Sequence, residues 1–291
     1  MAGESVLSGF VNIAAYIGAE ASPYFRTSVV MLPLLNIRNF REKTPGQPGS
    51  ASLKFGKKGN LTAYVTNEAA AITKSTYTQT SVSITAQKVG VYVELTDEAE
   101  TFGNEDADPD ALAQEAGLAI ADKFDTDALA LTNGFSNSVG STGVALTIAN
   151  FKLAPYKVRL NKVKGRLAAV LHPTAVRDIG SDLIATAAPV WSGGRDLDIL
   201  NGQPPEANGY AGSLFNVPIY ESSNCKSINA GADWSGGVFH PQYAICAGML
   251  GRVKVIMQPN AQNVLQGMSV FTYYNMAELN DGAGCEIVSA Q

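Results

Sequence analysis

KVGVYVELTDEAETFGNEDADPDALAQEAGLAIADKFDTDALALTNG, residues 88–134, is the stretch that decides the fold of this chain. Its first part predicts a half-buried strand, because apolar residues alternate with Tyr92 and Glu94 over this segment. The apolar positions are Val89, Val91, Val93 and Leu95. An acidic turn over 104–110 separates this strand from a long helical pattern.

We predict a helix over 108–133. Asp108 is placed as the N-cap, and Pro109 occupies the first helical position, where a missing N–H costs nothing. Asp110 lies in the first turn, on the favourable side of the helix dipole. Asn133-Gly134 supplies the stop signal.

The two sides of this helix differ in polarity. The apolar positions recur at spacings of three and four and are Leu112, Ala116, Ala119, Ile120, Phe124, Ala128 and Leu131. The expected polar side comprises Gln114, Glu115, Asp122, Asp125 and Thr126. The small residues allow neighbours to approach closely, so the helix is expected to be a packed spine with no catalytic role.

Residues 50–87 predict a long two-stranded loop. Its return strand has apolar residues at even positions up to Ala86, whereas the strand from Val89 has them at odd positions. The parity therefore flips near Gln87-Lys88, which indicates a bulge or a change of the buried face. An isolated two-stranded ribbon is marginal in water, so we expect this loop to be ordered by another subunit.

The segment before the loop is expected to be an N-terminal arm. Residues 5–24 have weak helical periodicity, and the apolar run from Val29 to Leu35 is interrupted by Pro33. Such a segment cannot bury its apolar side chains alone, so it is expected to lie on other elements or other subunits. A frayed terminus is the alternative.

The rest of the chain reads as α+β. Residues 147–164 predict a helix with Tyr156, Leu160 and Val163 on its face and Pro155 at its start or at a kink. A buried strand over 167–171, a helix beginning at 172–174, a loop over 186–214 and strands over 214–220 and from 236 follow. Strands over 252–258 and 268–275 close the chain, the latter with both faces covered.

Composition limits the possible functions. The chain has 291 residues, of which 46% are hydrophobic and only 16% charged, and it has 28 glycines. This balance suggests a surface covered by something other than water, although an apolar-rich α/β enzyme fits it equally well. The net charge of −5 argues against a surface that grips nucleic acid. No apolar run is long enough to span a bilayer, and no charged region precedes the first apolar residues.

The sequence offers little chemistry. Cys225, Cys246 and Cys285 form neither a metal pattern nor a disulfide framework, which fits buried thiols in a reducing cytoplasm. His172 and His240 each precede a proline, lack partners at zinc-ligand spacing and are expected at strand ends. We therefore predict no catalytic, cofactor or metal site, and no enzyme activity.

Two charged segments leave alternatives open. The acidic turn over 105–110 suits a divalent cation, but it lacks the glycine and distal glutamate of a calcium loop, so helix capping and solvation are the preferred reading. Lys57 and Lys58 either pair with acidic groups of a neighbouring subunit or are simply solvated.

The order of these elements resembles the HK97-fold major capsid proteins of tailed bacteriophages over nearly the whole chain. Its local phrases are Val91–Glu98 leading into the Asp108-Pro109 helix, Leu171-His172-Pro173, Asn216–Tyr220 and Val238-Phe239-His240-Pro241. The resemblance implies an arm at 1–49, an extended (E) loop at 50–88 and an axial (A) domain at 147–250. It assigns 89–146 and 251–291 to a peripheral (P) domain.

The resemblance also implies a function. The chain would assemble as pentamers and hexamers into an icosahedral shell around double-stranded DNA, contacting the DNA only weakly and without specificity. Scaffolding, portal and cement or decoration proteins are the further partners implied, and no membrane is. Without a long helical segment before the arm, a separate scaffold or none is expected. The location would be the virion, after assembly in the host cytoplasm.

Two other functions remain open on the sequence alone. An encapsulin-type nanocompartment shell protein has the same fold and encloses a cargo enzyme instead of a genome. A soluble α/β enzyme or ligand-binding protein would need a converging set of polar residues, which the sequence does not display.

Overall fold

A computed structural model describes residues 28–42, 49–57, 63–68, 71–75, 80–96, 109–187, 209–260 and 265–291, together with Phe25 and Leu61. Its strands are β1 (Asn36–Asn39), β2 (Ser52–Lys57), β3 (Thr80–Thr85), β4 (Gln87–Thr96), β5 (Ser138–Gly140), β6 (Ala168–Leu171), β7 (Tyr210–Leu214), β8 (Val217–Glu221), β9 (Lys226–Ile228), β10 (Asp233–Phe239), β11 (Ile245–Met249), β12 (Lys254–Asn260), β13 (Leu265–Glu278) and β14 (Gly284–Ala290). The helices are α1 (Pro109–Ala130), α2 (Ile148–Leu160) and α3 (Pro173–Ala187).

The strand and the long helix of the opening stretch are both present. β4 begins one residue before Lys88, and Val89, Val91 and Val93 are partly buried while Lys88, Gly90, Tyr92 and Glu94 are exposed. Helix α1, called the spine helix below, begins at Pro109, as its position in the sequence predicts. It ends at Ala130, and Asn133 and Gly134 belong to a following 3-10 turn. Asp108 and the acidic turn before it lie outside the described residues.

The parity flip is confirmed. Val82, Ile84 and Ala86 are the buried or partly buried positions of the return strand, and the inward positions become odd from Val89 onward. The change falls at Gln87 and Lys88, two consecutive exposed residues at the start of β4, as predicted. β2 and β3 pair antiparallel from Ser52↔Thr85 to Lys57↔Thr80, which is the base of the predicted loop.

A five-stranded sheet carries the spine helix. Its strand order is β1-β11-β13-β12, and the fifth strand, β4, also pairs with the long strand β13. Phe124 of the spine helix packs edge-on against Tyr274 of β13 at 5.1 Å and against Phe25 at 5.7 Å. The Tyr274 hydroxyl also donates a hydrogen bond to Asp127 (2.9 Å). The largest buried cluster therefore lies between the spine helix and this sheet.

A seven-stranded sheet forms the second layer. Its order is β5-β14-β10-β6-β8-β7, with β9 paired to β10. Helices α2 and α3 cover it through a second buried cluster that includes Phe151, Leu171 and Ile287. β10 pairs antiparallel with β14 over seven residue pairs, which is the longest ladder of this sheet among the described residues.

The spine helix departs from its predicted faces at two positions. Ala119, expected on the apolar side, is exposed. Asp125, expected on the polar side, is only 2% exposed. Its carboxylate accepts hydrogen bonds from the backbone N–H groups of Val30 (2.8 Å) and Met31 (2.9 Å). Buried backbone donors need acceptors, and this carboxylate supplies both, which is why the chain tolerates it in the core.

The described part of the predicted arm packs on its own chain. Val29, Val30, Met31, Leu34 and Leu35 are buried, so the apolar run does lie on other elements as expected. β1 then pairs parallel with β11 from Asn36↔Cys246 to Asn39↔Met249. The helical pattern over 5–24 lies outside the described residues.

The middle of the chain needs two corrections. α2 buries Phe151, Ala154, Pro155 and Val158, whereas Tyr156 (57%) and Leu160 (61%) are exposed. Pro155 lies inside this helix rather than at its start.

The predicted strand over 214–220 is instead a hairpin. It turns at Phe215 and Asn216, whose φ angles are 53° and 61°, and it joins β7 to β8. The sequence-predicted loop over 186–214 therefore ends earlier, at Tyr210, and its residues 188–208 lie outside the described part of the chain.

Other sequence expectations are confirmed or completed. The strand over 167–171 is fully buried, and α3 begins at Pro173 with Ile179 inward. Val270 and Phe271 are both buried, so the predicted cover on both faces of this strand is present at these two positions. β5, β9 and β14 were not predicted.

Replacing Asp125 tests the bridge between the spine helix and residues 30–31. Asp125→Ala leaves two buried N–H groups without an acceptor and should lower the free energy of unfolding by about 2 to 4 kcal/mol. Asp125→Asn keeps one carbonyl acceptor and should cost less. Chemical denaturation of the purified protein measures both, with exposed Glu115→Ala as the control, expected within about 0.5 kcal/mol of the native chain.

The same residue should make stability depend on pH. Burial raises the pKa of Asp125 from the ordinary 3.8 to about 6, although the two amide hydrogen bonds oppose this shift. The folded chain then binds the proton more tightly than the unfolded chain. This contribution to the free energy of unfolding is therefore complete below pH 3.8 and lost as pH rises through about 6.

Comparison with Asp125→Asn isolates this effect. The native chain should lose on the order of 2 to 3 kcal/mol relative to Asp125→Asn between pH 4 and pH 7. A difference between the two proteins that stays flat over this range in urea unfolding would contradict the assignment.

Candidate assembly surfaces

Both histidines pack against aromatic side chains at the ends of strands. The His172 ring stacks on Trp234 at 4.1 Å, and its Nδ1 lies 2.8 Å from the Thr174 hydroxyl. The His240 ring packs on Tyr243 and accepts a hydrogen bond from the Gln242 amide (3.2 Å). Burial lowers the pKa of both histidines. Each follows directly on the last residue of a strand, as predicted.

All three thiols are buried and free, as expected. Burial raises the pKa of Cys225 to about 12 and the pKa values of Cys246 and Cys285 to about 11. A thiol is nucleophilic only as the thiolate, so these three groups are inert near neutral pH. Within the described residues, no three His, Cys, Asp or Glu side chains are grouped to hold a metal ion. No helix in that part of the chain is long and apolar enough to cross a bilayer.

Large apolar side chains are exposed on the projecting loop, which we define as residues 50–88. Val65 is fully exposed, Ile72 is 82% exposed, Leu61 63% and Tyr64 51%. These four residues lie beyond the paired strands, where no other described element covers them. The sequence pattern did not identify these four residues, which lie in a stretch without a regular period.

The base of the projecting loop, by contrast, is firmly attached to the body. Phe55 (1% exposed) and Ile84 (2%) share a small buried cluster with Phe40, Cys246 and Leu279. The Arg38 guanidinium lies over the Phe55 ring at 4.7 Å and donates to the Lys54 carbonyl at 3.1 Å. The loop therefore has an anchored base and a distal part, residues 58–79, which includes the uncovered Leu61, Tyr64, Val65 and Ile72. We call this part the distal loop.

The outer face of the five-stranded sheet offers a second apolar surface. Tyr92 of β4 and Ile256 of β12 are both paired with Ser269 of β13, so the three side chains form one cross-strand row. The neighbouring row, Val91, Val270 and Val255, faces the spine helix. Tyr92 is 58% exposed and Ile256 46%. A Cβ at Gly267 would lie 2.6 Å from the Tyr92 hydroxyl, so glycine gives the tyrosine ring its place on this face.

A third apolar surface lies on α2. Leu153 (46% exposed), Tyr156 (57%) and Leu160 (61%) are spaced by three and four residues and form one stripe. An ordinary monomer exposes single apolar residues, whereas contiguous groups of them mark interaction sites. The described surface therefore has the properties of a subunit that meets neighbours on several sides.

Removing the anchor of the projecting loop should release it without unfolding the body. Phe55→Ala deletes a buried aromatic ring, a change that typically costs about 3 to 5 kcal/mol. Because the Phe55 cluster is separate from the two larger clusters, that loss should fall mainly on the loop. Limited proteolysis should then cut within residues 58–79 much faster than in the native chain, with little change in the far-ultraviolet circular dichroism.

Tyr64→Ala is the matched control for this experiment, because it deletes an aromatic ring of the same loop that is exposed to solvent. It should leave the base of the loop protected. Equal cleavage rates in Phe55→Ala and the native chain would show that the buried ring does not anchor the loop.

No protein-family model matches the chain, and no curated protein matches it in sequence. Solved structures do match it along most of its length. A capsid structure of the cyanophage P-SCSP1u aligns over 91% of this chain and 89% of its own, with 14% identity and a TM-score of 0.66. A chain of Mycobacterium phage Che8 aligns over 89% and 91%, with 12% identity and a TM-score of 0.65.

The SrpI encapsulin of Synechococcus elongatus aligns over 89% of this chain and 86% of its own, with 12% identity and a TM-score of 0.60. At such low identities these alignments establish the fold. The architecture of the chain is therefore that of phage capsid and encapsulin subunits, the HK97 fold that the order of its sequence elements resembles.

Proposed function

We propose that the chain is the major capsid protein of a tailed bacteriophage, which assembles as pentamers and hexamers into an icosahedral shell around double-stranded DNA. The observation that carries this proposal is the projecting loop, whose apolar side chains are left uncovered by a chain that otherwise has the fold of shell subunits. A monomer gains nothing from this exposure, whereas a subunit buries these groups on its neighbour.

The elements then take the roles that the fold suggests. Residues 50–88 act as the E loop, residues 1–49 as the arm, 147–250 as the A domain, and 89–146 with 251–291 as the P domain. The spine helix braces the P domain. We infer a structural, non-catalytic role in the virion, and we place scaffolding, portal and cement proteins among the partners. The acidic net charge of −5 suits weak, non-specific contact with packaged DNA.

The projecting loop has a fitting receptor on a second copy. The outer row with Tyr92 and Ile256 is apolar, exposed and part of a rigid sheet. We infer that the distal loop of one subunit lies on this row of the next, so that each subunit gives one surface and receives the other. Such a head-to-tail contact forms rings when the rotation between neighbours is about one fifth or one sixth of a turn, as in pentamers and hexamers.

An encapsulin-type shell is the second candidate, favoured by the alignment of 89% of this chain with the SrpI encapsulin. The content of the particles separates the two functions. A phage shell made in infected cells protects DNA from nuclease, whereas an encapsulin retains a cargo protein. Genes for a terminase and a portal beside this gene would point to the phage, and a cargo gene to the encapsulin.

Assembly itself is the first test. The purified protein, alone or with a scaffold, should form large particles of uniform size in light scattering and negative-stain microscopy. A chain that stays a stable monomer at all concentrations, salts and pH values would contradict the proposal.

Charges on the distal loop should block assembly but leave the subunit folded. Val65→Asp with Ile72→Asp replaces two apolar side chains, which would be buried at the interface, by carboxylates. The yield of particles should therefore fall at least about tenfold. The circular dichroism spectrum should not change, since both positions are exposed in the subunit. Val144→Asp with Phe215→Asp adds the same two carboxylates at exposed apolar positions outside the loop, and it should assemble normally.

Disulfide trapping tests the receptor directly. The native cysteines are buried, so new surface cysteines should be the reactive ones. Val65→Cys combined with Ile256→Cys should give ladders of linked subunits on mild oxidation of particles. Val65→Cys combined with Lys226→Cys, on the other layer, is the control. Equal ladders from both pairs would contradict the assignment of the receptor.

A further inference from the structure

A groove opens between the base of the projecting loop and the seven-stranded layer. It has a volume of about 890 Å³ and lies between β1, the end of β2, the residues after α2 and the turn at 279–282. Leu35 and Leu279 are buried at its apolar floor, with Ile37 and Val163 partly buried.

The charged side chains that line this groove all have the same sign. They are Arg38, Lys57, Lys162 and Lys164, and no carboxylate lines the groove. The ion pairs found among the described residues involve none of these four cations. Arg38 is occupied by the Phe55 ring and the Lys54 carbonyl, whereas the three lysines have no such contact within the described residues.

Glu278, next to the lining residue Leu279, interacts electrostatically with Lys57. The charge of Lys57 lowers its pKa, but burial and the nearby Asp281 raise it by more. β1 is also an outermost strand, paired only with β11 in the described part of the sheet. Its free edge adds backbone N–H groups that can donate to a carboxylate. The groove thus has an apolar floor, a basic rim and backbone N–H donors at the free edge of β1.

A surface of the opposite kind lies on the spine helix. Glu115, Leu118 and Asp122 are all exposed and are spaced by three and four residues, so they form one stripe, which we call the acidic stripe. Its two carboxylates are two turns apart, about 10 Å along the helix axis. Asp122 accepts a hydrogen bond from the neutral Asn224 amide (3.2 Å), which leaves its charge uncompensated. Lys123, next to it, is neutralised by Asp127 at 2.7 Å.

We propose that the basic groove of one subunit binds the acidic stripe of the spine helix of a second copy. In this contact Leu118 lies on the apolar floor, and the two carboxylates meet the lysines of the rim. The inference rests on the proposed function, since it requires an assembled shell, and it adds an electrostatic contact to the apolar contact of the projecting loop. Complementary charges of this kind fix the register between subunits and reject wrong orientations.

Reversing the charges on both sides provides the test. Lys162→Glu with Lys164→Glu should lower the yield of particles at least about tenfold, and so should Glu115→Lys with Asp122→Lys. The two altered subunits, each defective alone, carry matching charges on opposite surfaces. A single chain with all four substitutions should therefore recover most of the native yield. Failure of the fourfold variant to recover, with its circular dichroism spectrum unchanged, would overturn the inference.

A matched control excludes a general effect of net charge. Arg177→Glu with Lys226→Glu makes the same change in net charge on exposed positions outside the groove and the three apolar surfaces, and it should assemble normally. Loss of assembly in this control as well would assign the effect to net charge and overturn the groove contact.

Zero-length cross-linking of native particles identifies the partner without any mutation. A carbodiimide should join a groove lysine to Glu115 or Asp122 as an intermolecular amide, detected by mass spectrometry of mixed, isotope-labelled subunits. Particles in which the groove lysines link only to other carboxylates would overturn the inference and leave the capsid function standing. Absence of any particles, in contrast, would remove the proposed function itself.

Discussion

The rest of the structure depends on one buried carboxylate. Asp125 of the spine helix accepts the N–H groups of Val30 and Met31 within a core that excludes water. Without that acceptor the two donors would be buried unpaired, and the segment leading to β1 would lose its position. β1 then aligns on β11, and the buried base of the projecting loop packs against Phe40, directly after β1. The position of the loop therefore follows from a contact made far from it in sequence.

The second constraint is the strict alternation of the five-stranded sheet. Because cross-strand neighbours share a face, the row with Val270 must cover the spine helix while the row with Ser269 faces outward. An inner row of valines supplies stability, and an outer row with Tyr92 and Ile256 supplies an apolar surface without weakening the core. Under the proposed function, stability and assembly are thus encoded on alternate residues of the same strands, so either property can change without the other.

The sequence predicts those parts of the fold whose signal is local. The parity change at Gln87-Lys88 and the proline at position 109 locate a strand junction and a helix start to within a residue. Asp125 could not be placed from the sequence, because the donors that stabilise it lie 94 and 95 residues away. Likewise, the sequence predicts Phe215 to be part of a strand, because no neighbouring residue indicates its positive φ angle. The basic groove also escaped prediction, because its lysines come from separate elements that only the fold brings together.

The described surface keeps apolar groups and the groups of the proposed electrostatic contact on different elements. Exposed apolar side chains lie on the distal loop, the outer sheet row and one stripe of α2, whereas cations line the basic groove and two carboxylates lie on the acidic stripe. An apolar contact tolerates many orientations, since hydrophobic burial is not directional. A charged contact tolerates few, because a misplaced like charge is repelled. A shell needs apolar contacts for cohesion and charged contacts for a defined curvature. A subunit that places these two kinds of contact on different surfaces can bind its neighbour strongly and still adopt one register.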